Sequence, residues 1–178
     1  FVTVVGGSLG SAALNAAVDD LASVLGHAGV EAHVHHVVGP RFADSTGTGD
    51  SEVEGVAVHR VSLESDMPGI LAASDIVISR AGASTVAEIA TVGVASILVP
   101  WSGAADDHQT LNARWLADAG AAVLVDERSG MPGQLVETLR GLVEQPAARE
   151  SMARAARALG ERNRSSSLVT VIDNAAQR

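Results

Sequence analysis

Two short stretches of small residues carry the groups that can bind an anion. Gly6-Gly-Ser-Leu-Gly10 follows the apolar run at residues 1–5, and Ser79-Arg-Ala-Gly-Ala-Ser-Thr85 follows the short apolar run at residues 75–78. A buried strand, a turn of small residues and an exposed helix N-terminus form an anion site, because unpaired N–H groups and the helix dipole point the same way. We expect the two turns to face each other across one crevice and to hold a nucleotide diphosphate.

Each turn offers specific groups to such a ligand. In the first, the backbone amides of Gly7 and Gly10 and the hydroxyl of Ser8 can cradle a phosphate. In the second, small residues suit a backbone that turns sharply or approaches a ligand, and Gly82 tolerates dihedral angles that a side chain forbids. Arg80 can either offset the charge of a diphosphate or form a surface ion pair.

The first turn has two other interpretations. Ser8 can simply cap the next helix. The pattern Gly-x-Ser-x-Gly also matches the nucleophile elbow of α/β-hydrolases, and Asp106 or Asp107 followed by His108 completes a Ser…Asp…His order. Against a hydrolase, an elbow follows a middle strand, whereas this turn follows the first strand. An Asp and a His that are one or two residues apart also fit a helix N-terminus better than a triad.

Glu88 is the most informative acidic residue. Thr85-x-x-Glu88 matches a capping box, in which the Glu88 carboxylate reaches back to the Thr85 amide. Alternatively, a carboxylate one turn into a helix beside a phosphate site can accept hydrogen bonds from both hydroxyls of a ribose. Asp106-x-x-Gln109 leaves similar alternatives open: a helix cap, or His108 and Gln109 directed at sugar hydroxyls.

Three histidines, His33, His35 and His36, lie on the second predicted strand. Alternate residues share a strand face, but zinc needs a third ligand and usually a fourth, and the spacing places none. We therefore expect solvated or capped histidines and no metal site. Trp101 and Trp115 are expected to pack against the protein.

The composition argues against several classes of protein. The net charge of −9 argues against nonspecific nucleic-acid binding, which needs a basic surface. The chain has no cysteine, so disulfides and thiolate metal sites are excluded. No apolar run approaches the ~20 residues that span a bilayer, and no signal peptide is visible. Because the chain begins at Phe1 within a strand-like run, we expect an excised domain or a truncated start.

Alternating apolar runs and helical patterns predict the fold. Strands are expected at residues 1–5, 30–38, 56–59, 75–79, 95–99 and 121–125. Helices are expected at residues 11–25, 66–73, 85–91, 106–118, 132–144, 147–159 and 167–176, and a polar, mobile loop at 39–55. This pattern is typical of a doubly wound, Rossmann-like α/β fold with a parallel six-stranded sheet. In the common strand order 3-2-1-4-5-6, both small-residue turns lie at the switch point, where ligands bind.

Three stretches taken together resemble one family. Gly6–Gly10, residues 75–88 and residues 106–113 are similar, in this order, to the C-terminal half of the MurG family. These are GT-B transferases that add N-acetylglucosamine (GlcNAc) to lipid I in peptidoglycan synthesis. The resemblance runs from Val2 to about Arg157. It implies that residues 1–178 form the half that binds the donor UDP-GlcNAc, and that an N-terminal half, absent here, binds the membrane-linked acceptor and carries the proposed base.

The resemblance also implies roles for individual residues. The turn around Ser8 would contact the diphosphate, and Glu88 would hold the ribose hydroxyls. Gln109, together with His108, would bind the GlcNAc hydroxyls. Backbone and hydroxyl donors at the phosphates and the sugar would come from three consecutive residues, Ala83, Ser84 and Thr85.

Two positions depart from the family. The backbone of Glu64 would read the uracil edge, yet Leu63-Glu64 stands where the family often has an aromatic and an aliphatic residue. Leu9 is a second departure. The resemblance further implies a metal-independent enzyme without a cofactor, since helix N-termini in GT-B enzymes stabilise the charge that a divalent ion stabilises elsewhere.

The implied reaction of the intact enzyme is an inverting displacement, in which a sugar hydroxyl of the acceptor attacks the anomeric carbon of GlcNAc and UDP leaves. The implied partners are UDP-GlcNAc and a lipid-linked acceptor, with no nucleic acid. The implied location is the cytoplasmic face of the bacterial cell membrane, in cell-wall synthesis, cell division and cell shape. This chain alone should bind the donor and catalyse nothing. The alternatives are a stand-alone donor subunit, or another UDP-sugar enzyme such as an epimerase or a natural-product glycosyltransferase.

Overall fold

The computed structural model describes residues 1–29, 31–165 and 167–176. Within these ranges the strands are β1 (Val2–Val5), β2 (His33–Val37), β3 (Gly49–Val53), β4 (Val56–Val61), β5 (Ile76–Ser79), β6 (Ala95–Leu98) and β7 (Ala122–Leu124). The helices are α1 (Ala12–His27), α2 (Ala43–Thr46), α3 (Met67–Ala73), α4 (Ala83–Val92), α5 (His108–Ala117), α6 (Met131–Glu144), α7 (Pro146–Leu159), α8 (Glu161–Arg164) and α9 (Ser167–Ala176). Single 3-10 turns cover Pro40–Phe42 and Ala105–Asp107.

The strands form one sheet in the order β3-β4-β2-β1-β5-β6-β7. Every neighbouring pair is parallel except β3 with β4. The predicted doubly wound α/β class is therefore confirmed, and the six parallel strands follow the predicted order 3-2-1-4-5-6. Val5 at the end of β1 pairs with Ser79 at the end of β5, so the turns that follow these strands begin side by side.

The edge strand β3 corrects the prediction of a mobile loop at residues 39–55 and of only six strands. β3 pairs antiparallel with β4 through a two-residue turn, Glu54 and Gly55, whose φ angles are 49° and 80°. Two consecutive residues with positive φ are the signature of a tight hairpin turn. The residues of β3 are mostly polar and exposed, so no apolar period indicated a strand there.

Helices cover the two faces of the sheet. On one face, α1 and α6 pack on the aliphatic side chains of the central strands. The predicted stripe of α1 is buried: Leu14, Val18, Leu21 and Leu25. On the other face, α3, α4 and α5 cover a second cluster that includes Val77 and Leu98. Burial of these Val, Ile, Leu and Ala side chains, in a chain with few aromatics, supplies the main stabilising term.

Several local predictions need correction. Helix α4 begins at Ala83, two residues before the predicted start. Trp101 and Trp115 lie at the surface, since 52% and 45% of their surfaces are exposed, although the Trp101 ring lies against Gly103. Val30, the predicted first residue of the second strand, lies outside the described residues. Among the described residues, no helix combines the length and apolar character needed to cross a membrane.

Candidate functional site

The turn after β1 is shaped by its glycines. Gly7 and Gly10 have φ angles of 87° and 86°, in the left-handed region that favours glycine. A Cβ on Gly10 would also lie 2.1 Å from the Val38 carbonyl oxygen, so no side chain fits there. The Ser11 hydroxyl accepts the Leu14 amide, 3.3 Å away, and caps α1.

Ser8 is therefore not the helix cap that one interpretation assigned to it. Its side chain is exposed, and no hydrogen-bond partner for it is found in the described part of the chain. Cap formation by Ser11 leaves the Ser8 hydroxyl available to a ligand at the end of β1. The geometry thus leaves open the predicted phosphate contact of Ser8.

The N-terminus of α4 presents unpaired amides at the same edge. Gly82 is the N-cap and no side chain caps the helix. The first intrahelical bond runs from the Val86 amide to the Gly82 carbonyl, over 3.0 Å. In the described structure, no acceptor within the chain pairs with the three preceding amides, those of Ala83, Ser84 and Thr85. Unpaired amides of this kind attract anions.

Gly82 itself departs from the prediction. Its φ of −63° and ψ of 148° are ordinary extended values that any residue adopts. A Cβ placed there would meet only the Thr85 hydroxyl, at 3.8 Å. A glycine is thus not required here by the backbone conformation or by the protein's own packing.

Arg80 ties the two turns together. Its side chain is buried, and its Nε donates to the Ser11 hydroxyl at 3.1 Å. Nη1 donates to the carbonyls of Val99 and Pro100 at 3.1 and 3.3 Å, and Nη2 donates to Glu127. All three nitrogens therefore bond to the protein. This is neither a surface ion pair nor a free cation, and the geometry favours a positioning role over direct contact with a diphosphate.

Glu127 is a functional-site residue that the sequence did not reveal, because it lies 47 positions from Arg80. One carboxylate oxygen accepts Arg80, and the other accepts the Ser102 amide at 2.9 Å. Burial raises the pKa of Glu127, but the hydrogen bonds from Arg80 and Ser102 outweigh it, so the pKa lies below its ordinary value. The carboxylate is thus ionised beside Arg80 at neutral pH.

Helix α5 holds the second turn from the other side. The side-chain oxygen of Gln109 accepts the amides of Ala81 and Trp101, at 3.3 and 3.0 Å. Asn112, which the sequence analysis missed, donates to the Ala81 carbonyl at 3.0 Å. The Asp106-to-Gln109 cap is therefore wrong. Because its oxygen is occupied, Gln109 can offer only its amide N–H groups to a sugar.

The start of α5 has unusual backbone geometry. Asp106 and Asp107 have φ angles of 50° and 51°, which are uncommon for residues other than glycine. His108 follows as the first residue of α5, and its Nδ1 lies 2.7 Å from the Ala105 carbonyl. Since Nδ1 must donate there, Nε2 is the ring nitrogen left for a ligand. Strained backbone of this kind persists where the surrounding structure fixes it, often at functional sites.

Glu88 does not form the capping box that one interpretation assigned to it. The N-cap of α4 is Gly82, so Thr85 lies inside the helix and cannot form a capping box with Glu88. The Glu88 side chain is exposed, and no partner for it is found among the described residues. An unpaired carboxylate therefore stands about one turn beyond the free amides of α4, as the ribose interpretation requires.

Glu64 lies after β4, at the same edge of the sheet. One carboxylate oxygen accepts the Asp66 amide at 2.8 Å, and the other lies 3.0 Å from Nε2 of the buried His35. The Asp66 amide and then His35 hold the pKa of Glu64 below its ordinary value. Burial lowers the pKa of His35, although Glu64 opposes this effect.

The histidines of β2 differ from one another. His33 is exposed, whereas His35 and His36 are buried, so the expectation of solvated or capped histidines is wrong for these two. His36 faces α1, where its Nε2 lies 2.9 Å from the Asn15 side-chain oxygen. Burial, followed by the positive charge of Arg60, lowers the pKa of His36 to about 4. Within the described ranges, no three His, Asp or Glu side chains are grouped as metal ligands.

The geometry gives no support to a hydrolase. In the described structure no hydrogen bond joins Ser8 to His108, or His108 to either Asp106 or Asp107. The Asp107 carboxylate instead accepts the Thr110 hydroxyl at 2.7 Å. The turn after β1 does follow the central strand of the sheet, so the argument against an elbow from the place of this strand in the chain does not hold.

Comparison with known proteins decides the family. Residues 1–169 match the model of the glycosyltransferase family 28 C-terminal domain. The chain belongs to this family. Its fold is that of GT-B glycosyltransferases.

Similar proteins carry the name UDP-N-acetylglucosamine--N-acetylmuramyl-(pentapeptide) pyrophosphoryl-undecaprenol N-acetylglucosamine transferase. One from Burkholderia multivorans is 45% identical over 168 residues, which cover 92% of this chain and 43% of that protein. One from Xanthomonas axonopodis pv. citri is 39% identical over 171 residues, 96% of this chain and 39% of that protein. The crystal structure of MurG from Acinetobacter baumannii has a TM-score of 0.75 at 30% identity, over 99% of this chain and 49% of that one. The chain thus spans less than half of each relative's length.

Proposed function

We propose that this chain binds UDP-GlcNAc as the donor-binding part of a family 28 glycosyltransferase. One observation carries the proposal. The unpaired amides of Ala83, Ser84 and Thr85 lie beside the turn after β1, at the point where the strand order reverses. In open α/β sheets ligands bind at this switch point, and a diphosphate is the anion that two adjacent amide-rich turns can share.

Each part of the ligand has a group on the protein that suits it. The amides of α4 and the first turn, with the Ser8 hydroxyl, bind the diphosphate. Glu88 accepts hydrogen bonds from the two ribose hydroxyls, because an unpaired carboxylate near phosphates is unfavourable unless donors surround it. The side-chain N–H groups of Gln109 and Nε2 of His108 contact GlcNAc hydroxyls, and the Glu64 backbone faces the uracil.

Arg80 does not contact the ligand directly but positions the turns that do. By bonding to Ser11, to the end of β6 and to Glu127, it fixes the relative position of the two turns. A preorganised set of donors stabilises charge without reorganisation during the reaction. Loss of Arg80 is therefore expected to weaken diphosphate binding through displacement of the turns.

For the intact protein, we propose transfer of GlcNAc from UDP-GlcNAc to lipid I, giving lipid II, with inversion at the anomeric carbon. The relatives named above support this proposal, since their names specify the donor and a lipid-linked acceptor. UDP leaves with its charge held by the amides of α4, so we propose that no divalent metal is needed. We also propose that the intact enzyme works at the cytoplasmic face of the membrane. Unchanged UDP affinity in the presence of EDTA is the expected result for the metal-independent site.

Calorimetric titration of this chain tests the donor site. UDP and UDP-GlcNAc should bind saturably, and NAD should not bind. Glu88→Ala should weaken binding of both uridine ligands at least about tenfold, because a hydrogen bond to a charged group contributes about 1.5–3 kcal/mol. Glu144→Ala is a matched control, since Glu144 is also an exposed helical glutamate but lies on α6.

Three results would contradict parts of the proposal. Full affinity in a folded Glu88→Ala variant would remove Glu88 from the ribose site. Tighter binding of UDP-glucose or a TDP-sugar than of UDP-GlcNAc would assign the chain to another sugar-nucleotide enzyme. Transfer of GlcNAc to a lipid I analogue by this chain alone would refute the expectation that the rest of the enzyme is required.

A further inference from the structure

His35 occupies an unusual place for a histidine, inside the sheet face that carries α3 and α4. Only 6% of its side chain is exposed. The ring lies between two other rings, with centroids 6.3 Å from Phe1 and 5.4 Å from His59. On the neighbouring strand, the Thr3 hydroxyl lies 2.7 Å from the Ser74 hydroxyl at the end of α3. His35 therefore has a fixed position next to the connection between β4 and α3.

Glu64 joins His35 to that connection. Its Oε2 lies 3.0 Å from Nε2 of His35, although the N–H does not point along this line, so the contact is a close electrostatic one rather than an aligned hydrogen bond. Its Oε1 accepts the Asp66 amide at 2.8 Å. Asp66 in turn caps α3 by accepting the Gly69 amide at 3.0 Å. One carboxylate thus links β2 to the start of α3.

The backbone of Glu64 has the opposite character to its side chain. The Glu64 side chain is only 15% exposed and anchored at both oxygens. Its backbone N–H and C=O, by contrast, have no hydrogen-bond partner in the described part of the chain. Other backbone groups of residues 62–66, such as the Ser62 carbonyl and the Asp66 amide, are paired within the chain. The Glu64 peptide therefore has an N–H and a C=O to offer to water or to a ligand.

The position of this segment matches one part of a bound nucleotide. Helices α3 and α4 are neighbours on the same face of the sheet. A ligand with its diphosphate at the start of α4 and its ribose at Glu88 extends its base toward the start of α3, where residues 62–66 lie. This step rests on the proposed function.

We propose that His35 is a positioning residue for recognition of a uracil base, acting through the Glu64 side chain on the backbone of residues 62–66. His35 does not touch the ligand. It holds the Glu64 carboxylate inward, and this contact turns the Glu64 backbone toward the base. A uracil edge presents one donor between two acceptors, which a backbone N–H and C=O can complement.

Protonation states agree with this arrangement at neutral pH. The Asp66 amide and the neighbouring His35 keep the pKa of Glu64 low, so the carboxylate is ionised. Burial keeps the pKa of His35 low, so the imidazole is largely neutral and lies against the carboxylate as a polar, uncharged group. A neutral ring avoids the cost of a charged group inside the sheet face.

The test compares two probes, UDP and inorganic diphosphate, by calorimetry. His35→Phe keeps the ring and its stacking but removes the N–H groups. It should weaken UDP binding about three- to tenfold, because the Glu64 carboxylate loses the polar group that holds it inward, and leave the affinity for diphosphate unchanged. His33→Phe is the matched control, because His33 is an exposed histidine on the same strand, and should change neither affinity. Glu64→Gln should act in the same direction as His35→Phe and keeps the test valid if that variant fails to fold.

The double variant His35→Phe/Glu64→Gln tests whether His35 acts through Glu64. If His35 acts through Glu64, combining His35→Phe with Glu64→Gln should weaken UDP binding no more than the stronger single change. Unchanged UDP affinity in both single variants, or equal weakening of UDP and diphosphate, overturns this proposal alone. Failure of the unmodified chain to bind UDP overturns it together with the proposed function.

Discussion

Replacement of Arg80 by methionine should strongly destabilise the protein. The Arg80 and Glu127 side chains are only 9% and 17% exposed, and Arg80 donates to four acceptors. Methionine retains the apolar stem but leaves a buried carboxylate with the Ser102 amide as its remaining donor. Breaking a buried pair by removing one partner costs about 3–5 kcal/mol. We expect Arg80→Met to lower the free energy of unfolding by this amount.

Urea denaturation followed by circular dichroism measures the effect. The double variant Arg80→Met/Glu127→Leu removes both charges, so it should be more stable than the sum of the single changes predicts, by at least about 1 kcal/mol. Arg140→Met is the matched control, because its pair with Glu137 is exposed and should contribute only about 0–1 kcal/mol. A loss within about 1 kcal/mol for Arg80→Met would refute the reasoning, because the network would then behave like a surface pair.

Three further predictions concern stability. Folding lowers the pKa of His36 from 6.5 to about 4. Between these pH values the unfolded chain binds a proton at His36 that the folded chain does not, so the free energy of unfolding should fall as pH falls from 6.5 to about 4. His36→Gln should reduce this pH dependence in urea titrations. Asp106→Gly should raise the free energy of unfolding by up to about 1 kcal/mol by relieving the positive φ, and a loss of stability would contradict the strain. Gly10→Ala should cost at least about 2 kcal/mol, since its Cβ would meet the Val38 carbonyl oxygen at 2.1 Å, whereas Gly82→Ala should leave stability within about 0.5 kcal/mol. Similar losses for the two alanine variants in parallel melts would contradict the different surroundings of these glycines.

The parallel part of the fold could be predicted from sequence because its signals are local. Apolar runs such as residues 75–79 and the apolar stripe of α1 each identify their own element. The rules for the handedness and order of connections in parallel sheets then predict how the strands are arranged. The edge strand β3 lacked such a signal, since Gly49–Val53 is polar and exposed. The Glu54-Gly55 turn was the only local indication of its hairpin.

The candidate site was predictable in its backbone and less so in its side chains. Both turns could be placed from strand order alone. The long-range partners of Arg80 and Glu64 could not, because these contacts join residues that are distant in the chain, such as Arg80 with Glu127 and Glu64 with His35. The start of α4 was predicted two residues too late. This error matters because a cap at Thr85 would have paired Glu88 with the backbone, whereas the observed cap at Gly82 leaves the Glu88 carboxylate unpaired.

An NMR titration of the isotope-labelled chain with UDP reports both whether the nucleotide binds and where. We expect saturable shifts that are largest for the amides of Gly7–Gly10 and Ala83–Thr85. Shifts should be smaller around the cavity of about 310 Å³ that Phe1, His33, His35 and His59 help to line, where His35 is coupled to the site through Glu64. Saturable shifts centred on that cavity, or no saturable shifts at all, would contradict a nucleotide diphosphate site between the two turns.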